Sequence, residues 1–132
     1  MIAILEEAVK NYLQSIEVEF DKCSGGSHQG LVSKIIISGD KNLDVFVMSP
    51  VSKLSHIAEL WFGDKDDYDK QDLTNEIANL IVGNAKIIAT SKGVNFDIST
   101  PEFLGEKSDI AYDDVLEFKF KDECFYVMFK EQ

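Results

Sequence analysis

A carboxylate and a carboxamide lie three residues apart in the longest helical pattern of the chain, which runs from residue 72 to about residue 92. Residues three positions apart on an α-helix are neighbours on its surface, so the side chains of Glu76 and Asn79 point in the same direction. A carboxylate brings a negative charge, whereas a carboxamide both donates and accepts hydrogen bonds without adding charge. The pair therefore forms a small polar site made of one charge and one hydrogen-bonding group.

The pair belongs to a narrow polar stripe that lies opposite a broad apolar face of the helix. The stripe consists of Asp72, Glu76, Asn79, Gly83, Lys86 and Thr90. A glycine inside a helix costs about 1 kcal/mol relative to alanine, so Gly83 in the stripe indicates that another backbone or helix comes close there. Asp72 is expected to cap the helix N-terminus, and Asn84, within the apolar face, to hydrogen-bond a neighbouring loop. Taken alone, the stripe is also typical of a solvated helix face. The predicted apolar face consists of Leu73, Ile77, Leu80, Ile81, Ala85 and Ile88.

The composition excludes several classes of function. The 132-residue chain has a net charge of -11, and its 13 basic residues are all Lys, because the sequence contains no Arg. Nucleic acid and anionic membranes both require a basic patch, and bidentate binding of phosphate is Arg chemistry. No apolar run approaches the roughly 18 residues of a membrane span, and no metal-binding cluster is evident. If this chain handles a phosphoryl group, the positive charge must come from elsewhere.

Length and cysteine usage predict a single cytoplasmic domain. Residues 1–132 fit one domain of ordinary size, and no linker divides them. The N-terminus becomes acidic at once and lacks the basic region of a signal peptide. Two cysteines far apart in the sequence, Cys23 and Cys124, are expected to be free thiols in a reducing compartment.

The surrounding elements predict an α/β fold of the α+β type, in the order α-β-β-β-α-α-β-β-β. No helix alternates regularly with single strands, which argues against a doubly wound nucleotide-binding fold. We expect one mostly antiparallel six-stranded sheet packed with about three helices. The last strand is apolar on both faces and should be central, covered by helices, or buried in a dimer. Helices are predicted at 3–13, 51–62 and 72–92, strands at 16–20, 31–38, 43–48, 94–99, 115–121 and 124–130, and a loop at 100–105.

The long helix resembles the signature of the CheC/CheX/FliY chemotaxis phosphatases, and most closely that of CheX. The signature is an Asp or Ser, three residues, Glu, two residues, Asn, and a proline just over twenty residues later. Here it reads Asp72, Glu76, Asn79 and Pro101, with 21 residues between the last two. The Gly83-Asn84-Ala85 triplet is also similar to the family. Dual-site members carry the signature on two helices, whereas this chain has it once, like CheX.

The resemblance implies a CheC/CheX-like fold and hydrolysis of the aspartyl phosphate on a CheY-like response regulator, which terminates a chemotaxis signal. Glu76 would pair with the active-site lysine of the regulator, and Asn79 would orient the attacking water. The regulator would supply the Asp, the Mg²⁺ and the Lys, so this chain would bind no metal or cofactor of its own. Residues that would support docking or the fold are Asp72, Gly83, Asn84 and Pro101.

The implied partners are a phosphorylated response regulator and, because CheX relatives dimerise through the sheet, a second copy of the chain. The main alternative is a non-catalytic CheX-like adaptor that binds a response regulator or a flagellar switch component. A third interpretation is an acidic interaction domain whose helix stripe is merely solvated. Phosphatase turnover by substoichiometric amounts of the protein separates the first from the other two.

Overall fold

The computed structural model describes residues 2–15, 21–22, 30–49, 70–108, 110–120 and 123–131. These residues form two helices and seven strands. The predicted strand at 16–20 and the predicted helix at 51–62 lie outside the described residues. The elements are α1 (Ile2–Ser15), β1 (Asp21–Lys22), β2 (Gly30–Gly39), β3 (Leu43–Ser49), α2 (Lys70–Ser91), β4 (Phe96–Ile98), β5 (Glu102–Lys107), β6 (Asp114–Phe120) and β7 (Glu123–Glu131).

Every pairing among the described strands is antiparallel. The order across the sheet is β1-β6-β7-β3-β2, and both β4 and β5 pair with β2. Because β4 pairs with the end of β2 and β5 with its beginning, seven strands occupy six positions. The predicted antiparallel α+β fold is therefore confirmed, and β7 lies between β6 and β3, in the interior of the sheet as its apolar sequence requires.

Alternating side chains of β2 show how the two faces of the sheet differ. Leu31 and Ile35 belong to a core shared with the helices, whereas Val32 belongs to a second core on the opposite face. Successive side chains of β3 and β7 also alternate between the two cores. Buried residues on the helix side include Val45, Val47, Val127 and Phe129, and those on the other side include Met48, Tyr126 and Met128.

The long helix α2 packs beside α1 and buries one face against the sheet. The predicted apolar face is confirmed with one exception, Leu80, whose relative exposure is 43%. Leu80 lies only about 40° from Glu76 on the helix circumference, at the margin of the buried arc, so it remains accessible. The buried residues of α2 are Leu73, Thr74, Ile77, Ala78, Ile81, Val82, Ala85, Ile88 and Ala89.

A Schellman motif with Gly93 just beyond the last turn ends α2. This glycine has a φ of 80°, a left-handed conformation that is costly for other residues. The Val94 N–H donates to Ala89 O at 2.9 Å, and the Gly93 N–H donates to Thr90 O at 3.2 Å, which satisfies carbonyls that a helix end would otherwise leave unpaired. The C-terminal end of α2 is thus held in a defined position before the chain enters β4.

Strand β5 corrects the prediction of a loop at 100–105. Residues from Glu102 onward pair with β2, and the register shifts between Val32 and Ser33, where Leu104 of β5 is the extra residue. Gly105 of β5 has a φ of 83°. The local sequence, with a proline and a glycine, is typical of a loop. Pairing with the exposed edge of β2 overrides that tendency because it satisfies the backbone hydrogen-bonding groups of both segments.

Candidate functional site

The side chains of Glu76 and Asn79 are exposed on the outer face of α2. They lie on consecutive turns of one helix and are neighbours on its surface. Within the part of the chain that the structure describes, neither side chain is joined to another by a hydrogen bond or an ion pair. The buried face of α2 is packed immediately behind them, because Ile77 and Ala78 are at most 1% exposed. The site is therefore a polar pair presented outward by a helix whose other face is fixed in the core.

Asp72 was predicted to cap the N-terminus of α2, but it lies inside the helix. The helix begins at Lys70, which places Asp72 in its first turn. A carboxylate in the first turn still stabilises a helix, because it lies near the positive end of the helix dipole. Asp72 is exposed on the same side of the helix as Glu76, one turn before it.

Two exposed apolar side chains lie on the same side of α2 as the polar pair, Leu80 next to Asn79 and Ile87 about two turns further along the helix. Leu80 is 43% exposed and Ile87 is 72% exposed. Gly83 lies between them on the same face, and a Cβ built on it meets no atom within 4 Å. Packing among the described residues therefore does not require glycine at this position. The outer face of α2 thus combines a carboxylate, a carboxamide, two apolar side chains and a smooth backbone surface.

Asn84 is half-buried, at the margin of the helix–sheet core. Its expected hydrogen bond to a neighbouring loop is not present among the described residues and stays a prediction. Further along the helix, Lys86 forms an ion pair with Asp97 of β4 at 3.5 Å. The Lys86 side chain is 43% exposed and that of Asp97 is 93% exposed, so the pair is solvated and adds little stability.

Pro101 lies between β4 and β5, and the sheet explains its distance from Asn79. From Asn79 the chain continues along α2 to Ser91, a rise of about 18 Å. The chain then forms β4 and enters β5. These strands run alongside β2 from the level of Gly39 to the level of Lys34, a distance of about 17 Å. The return therefore brings the chain back beside the first half of α2. A proline fits at this break between two strands because it has no N–H to donate to a ladder.

A partly buried hydrogen bond between β2 and α2 was not predicted from the sequence. The Ser33 hydroxyl donates to Asn75 Oδ1 at 2.6 Å, and the Ser33 side chain is completely buried. Asn75 directly precedes Glu76 and lies one turn before Asn79. A signal existed in the sequence, because Ser33 interrupts the apolar residues at 31, 35 and 37 that share its face of β2.

The described residues contain no group of three or more His, Cys, Asp or Glu side chains that could hold a metal ion. In the same residues, neither helix combines the length and the apolar character that crossing a bilayer demands.

Comparison with known sequences gives one family match. Residues 31–120 match the family described as chemotaxis phosphatase CheX. This segment covers about two-thirds of the chain and includes β2, β3, all of α2 and the strands up to β6. The curated proteins searched contain no match to this chain.

Solved structures with the same fold cover nearly the whole chain. A CheC-like superfamily protein from Shewanella sp. PV-4 has a TM-score of 0.79 at 21% identity, covering 97% of this chain and 94% of that chain. The chemotaxis protein CheX from Vibrio vulnificus has a TM-score of 0.78 at 18% identity, with 98% and 97% covered. A CheX-CheY-BeF3-Mg²⁺ complex from Borrelia burgdorferi contains a chain with a TM-score of 0.73 at 20% identity, with 98% and 97% covered. At these low identities, the TM-scores show that the fold is shared.

Proposed function

Because this chain belongs to the CheX family of chemotaxis phosphatases, we propose that it accelerates hydrolysis of the aspartyl phosphate on a CheY-like response regulator. The observation that carries the proposal is the outward presentation of Glu76 and Asn79 by a helix fixed in the core. The related complex from Borrelia burgdorferi, which contains CheX, CheY and Mg²⁺, supports a response regulator as the partner.

In this proposal the two proteins divide the chemistry. The regulator contributes the phosphorylated aspartate, its active-site lysine and the Mg²⁺ that neutralises phosphoryl charge. This chain contributes Glu76, which pairs with that lysine, and Asn79, which reaches toward the phosphoryl group. The division suits a chain with a net charge of -11 and no Arg, because the positive charge is already present on the partner.

Asn79 acts by positioning water. Phosphoryl transfer depends on positioning and charge stabilisation more than on covalent chemistry by the protein. The carboxamide oxygen accepts a hydrogen bond from a water molecule and holds it in line with the bond that breaks. The water oxygen bonds to phosphorus as the bond to the aspartyl oxygen breaks, which leaves inorganic phosphate and a free carboxylate on the regulator. Asn serves here because, unlike Asp, it adds no negative charge next to the phosphoryl group.

The apolar part of the α2 face extends the docking surface. Leu80 and Ile87 are accessible, and the smooth surface at Gly83 lets the regulator approach the helix backbone. Asp72, Asn84 and Pro101 support this surface from the helix start, its margin and the adjoining strand break.

The Gly83→Ala variant separates docking from stability. We expect it to be more stable by about 1 kcal/mol, because alanine favours the helix and the new methyl group meets no atom within 4 Å. We also expect a several-fold higher KM for the phosphorylated regulator, since the methyl group would stand in the interface. Thermal unfolding and steady-state kinetics measure the two effects, with Thr90→Ala, further along the helix, as the control. A stabilised variant with an unchanged KM would show that the partner does not approach Gly83.

We further propose that the protein forms a homodimer through the sheet. The apolar faces of β7 are covered within one subunit, so this proposal depends on the family resemblance and on the edge formed by β4 and β5. No further strand among the described residues pairs with that edge. Sedimentation at micromolar concentration should give the mass of a dimer, and a clean monomer would contradict the proposal.

The compartment in this proposal is the cytoplasm, where response regulators are phosphorylated. The function is tested by measuring phosphate release from candidate phosphorylated regulators in the presence of Mg²⁺. Catalytic acceleration supports the phosphatase. Binding to the regulator without acceleration would instead identify the protein as an adaptor.

A further inference from the structure

We propose that the hydrogen bond between Ser33 and Asn75 is a positioning contact that sets the rotation of α2 and so aims Glu76 and Asn79 at the partner. The proposal rests on the proposed phosphatase function for its kinetic test. Ser33 and Asn75 do not touch the reacting groups in this scheme, so both are positioning residues.

The burial of Ser33 is the first reason for this assignment. Its side chain is completely buried, on the face of β2 where Leu31, Ile35 and Ile37 form the helix-side core. A buried hydroxyl is unfavourable unless it is hydrogen-bonded. An apolar residue would fill this position without needing a partner. The hydroxyl therefore contributes specificity of alignment rather than burial.

The direction of the contact is the second reason. Apolar packing between α2 and the sheet is largely non-directional and tolerates small rotations. A hydrogen bond of 2.6 Å from Ser33 Oγ to Asn75 Oδ1 tolerates less, because it weakens steeply with distance and angle. It joins the helix layer directly to the sheet. By contrast, the buried Thr74 hydroxyl donates to Lys70 O within the same helix.

The place of the contact on the helix is the third reason. Asn75 is adjacent to Glu76 in sequence and one turn before Asn79 on the helix surface. With side-chain ends about 5–6 Å from the helix axis, a rotation of about 15° moves them by about 1.5 Å. Misplacement by about 1 Å can lower a rate by about 100-fold. Because Asn75 is so close to both site residues, a contact there fixes the positions of both side chains.

The neighbouring strand β5 is irregular beside the contact. Val32 is aligned with Gly105 and Ser33 with Phe103, two residues after Pro101, so the extra residue, Leu104, lies in β5. β-Bulges are frequent beside active sites. Strand β5, which follows Pro101, therefore pairs with β2 at Ser33, the residue that hydrogen-bonds Asn75.

The test compares Ser33→Ala, Asn75→Leu and the double variant with the wild type. We expect kcat for dephosphorylation to fall by about 10- to 100-fold, with a smaller rise in KM for the phosphorylated regulator, because the rotation also displaces Glu76. The double variant should lose no more than either single one, because the two residues act as a unit. Ser33→Thr keeps the hydroxyl and should retain kcat.

Thr74→Val is the matched control, because it removes a buried hydroxyl from the same turn without touching the sheet contact. It should lower stability and leave kcat unchanged. A wild-type kcat in Asn75→Leu, whose half-buried position lets the variant fold, would overturn the proposal. An equal loss of kcat in Thr74→Val would do the same.

A second measurement keeps this proposal separate from the proposed function. Amide hydrogen exchange at residues 75–80 should be faster in Ser33→Ala than in Thr74→Val, whether or not the protein is a phosphatase. If the wild type does not accelerate dephosphorylation, the proposed function fails and this comparison alone decides the positioning role. Equal exchange in the two variants would overturn it.

Discussion

The Asn79→Ala variant is expected to lose acceleration of regulator dephosphorylation by about 100- to 1,000-fold, the range seen when one preorganised hydrogen-bonding group is removed from an active site. The loss should be in kcat, because the carboxamide acts on the water in the reacting complex and not on docking. The fold should be unaffected. The side chain is exposed, and alanine is the better helix former, so thermal stability should be equal or slightly higher.

Stopped-flow measurement of regulator dephosphorylation checks this prediction. Gln71→Ala is the matched control, because it removes an exposed carboxamide from the same helix on a different side. Gln71→Ala should behave as wild type. Hydrolysis as fast in Asn79→Ala as in wild type would show that another group positions the water.

Reversing the charge at Glu76 should affect binding more than chemistry. Glu76→Lys would place an ammonium group opposite the lysine of the regulator, and like charges brought together in an interface are strongly unfavourable. We expect KM to rise by about 100-fold or more. Glu76→Gln removes the charge without reversing it and should cause a smaller rise.

Glu7→Lys is the control for the change in net charge. Glu7 is paired with Lys92 at 3.4 Å, near the other end of α2 and about 24 Å along the helix from Glu76. This exposed pair contributes little stability, so Glu7→Lys should fold and keep the wild-type KM. Equal KM values for Glu76→Lys and Glu7→Lys would mean that Glu76 does not meet a cation in the complex.

Local periodicity was enough to predict most of the fold. β2, β3, β6 and β7 alternate or are β-branched, α2 has a sustained helical period, and Gly93 marks its end. β5 was missed because its strand conformation depends on pairing with β2 across a long sequence separation, which a local pattern does not encode. The same limit hides the fact that β4 and β5 share one position in the sheet.

The sequence likewise predicted some features of the site and missed others. The Glu76–Asn79 spacing places both residues on the exposed face, as the helix period requires. Leu80 was assigned to the wrong face because a helical wheel gives directions around the axis but not the width of the buried arc. The assignment of Asp72 as the cap failed because the helix begins two residues earlier. Ser33 and Asn75 were overlooked because their contact joins two elements 42 residues apart.

Multiple-turnover phosphate release from an excess of phosphorylated response regulator with Mg²⁺ decides whether this protein is a phosphatase. Substoichiometric wild-type protein should release many equivalents of phosphate at a rate proportional to its concentration, and Asn79→Ala at the same concentration should not exceed the spontaneous rate. Release that never exceeds the rate of the regulator alone, although the two proteins bind, would contradict the proposed phosphatase function.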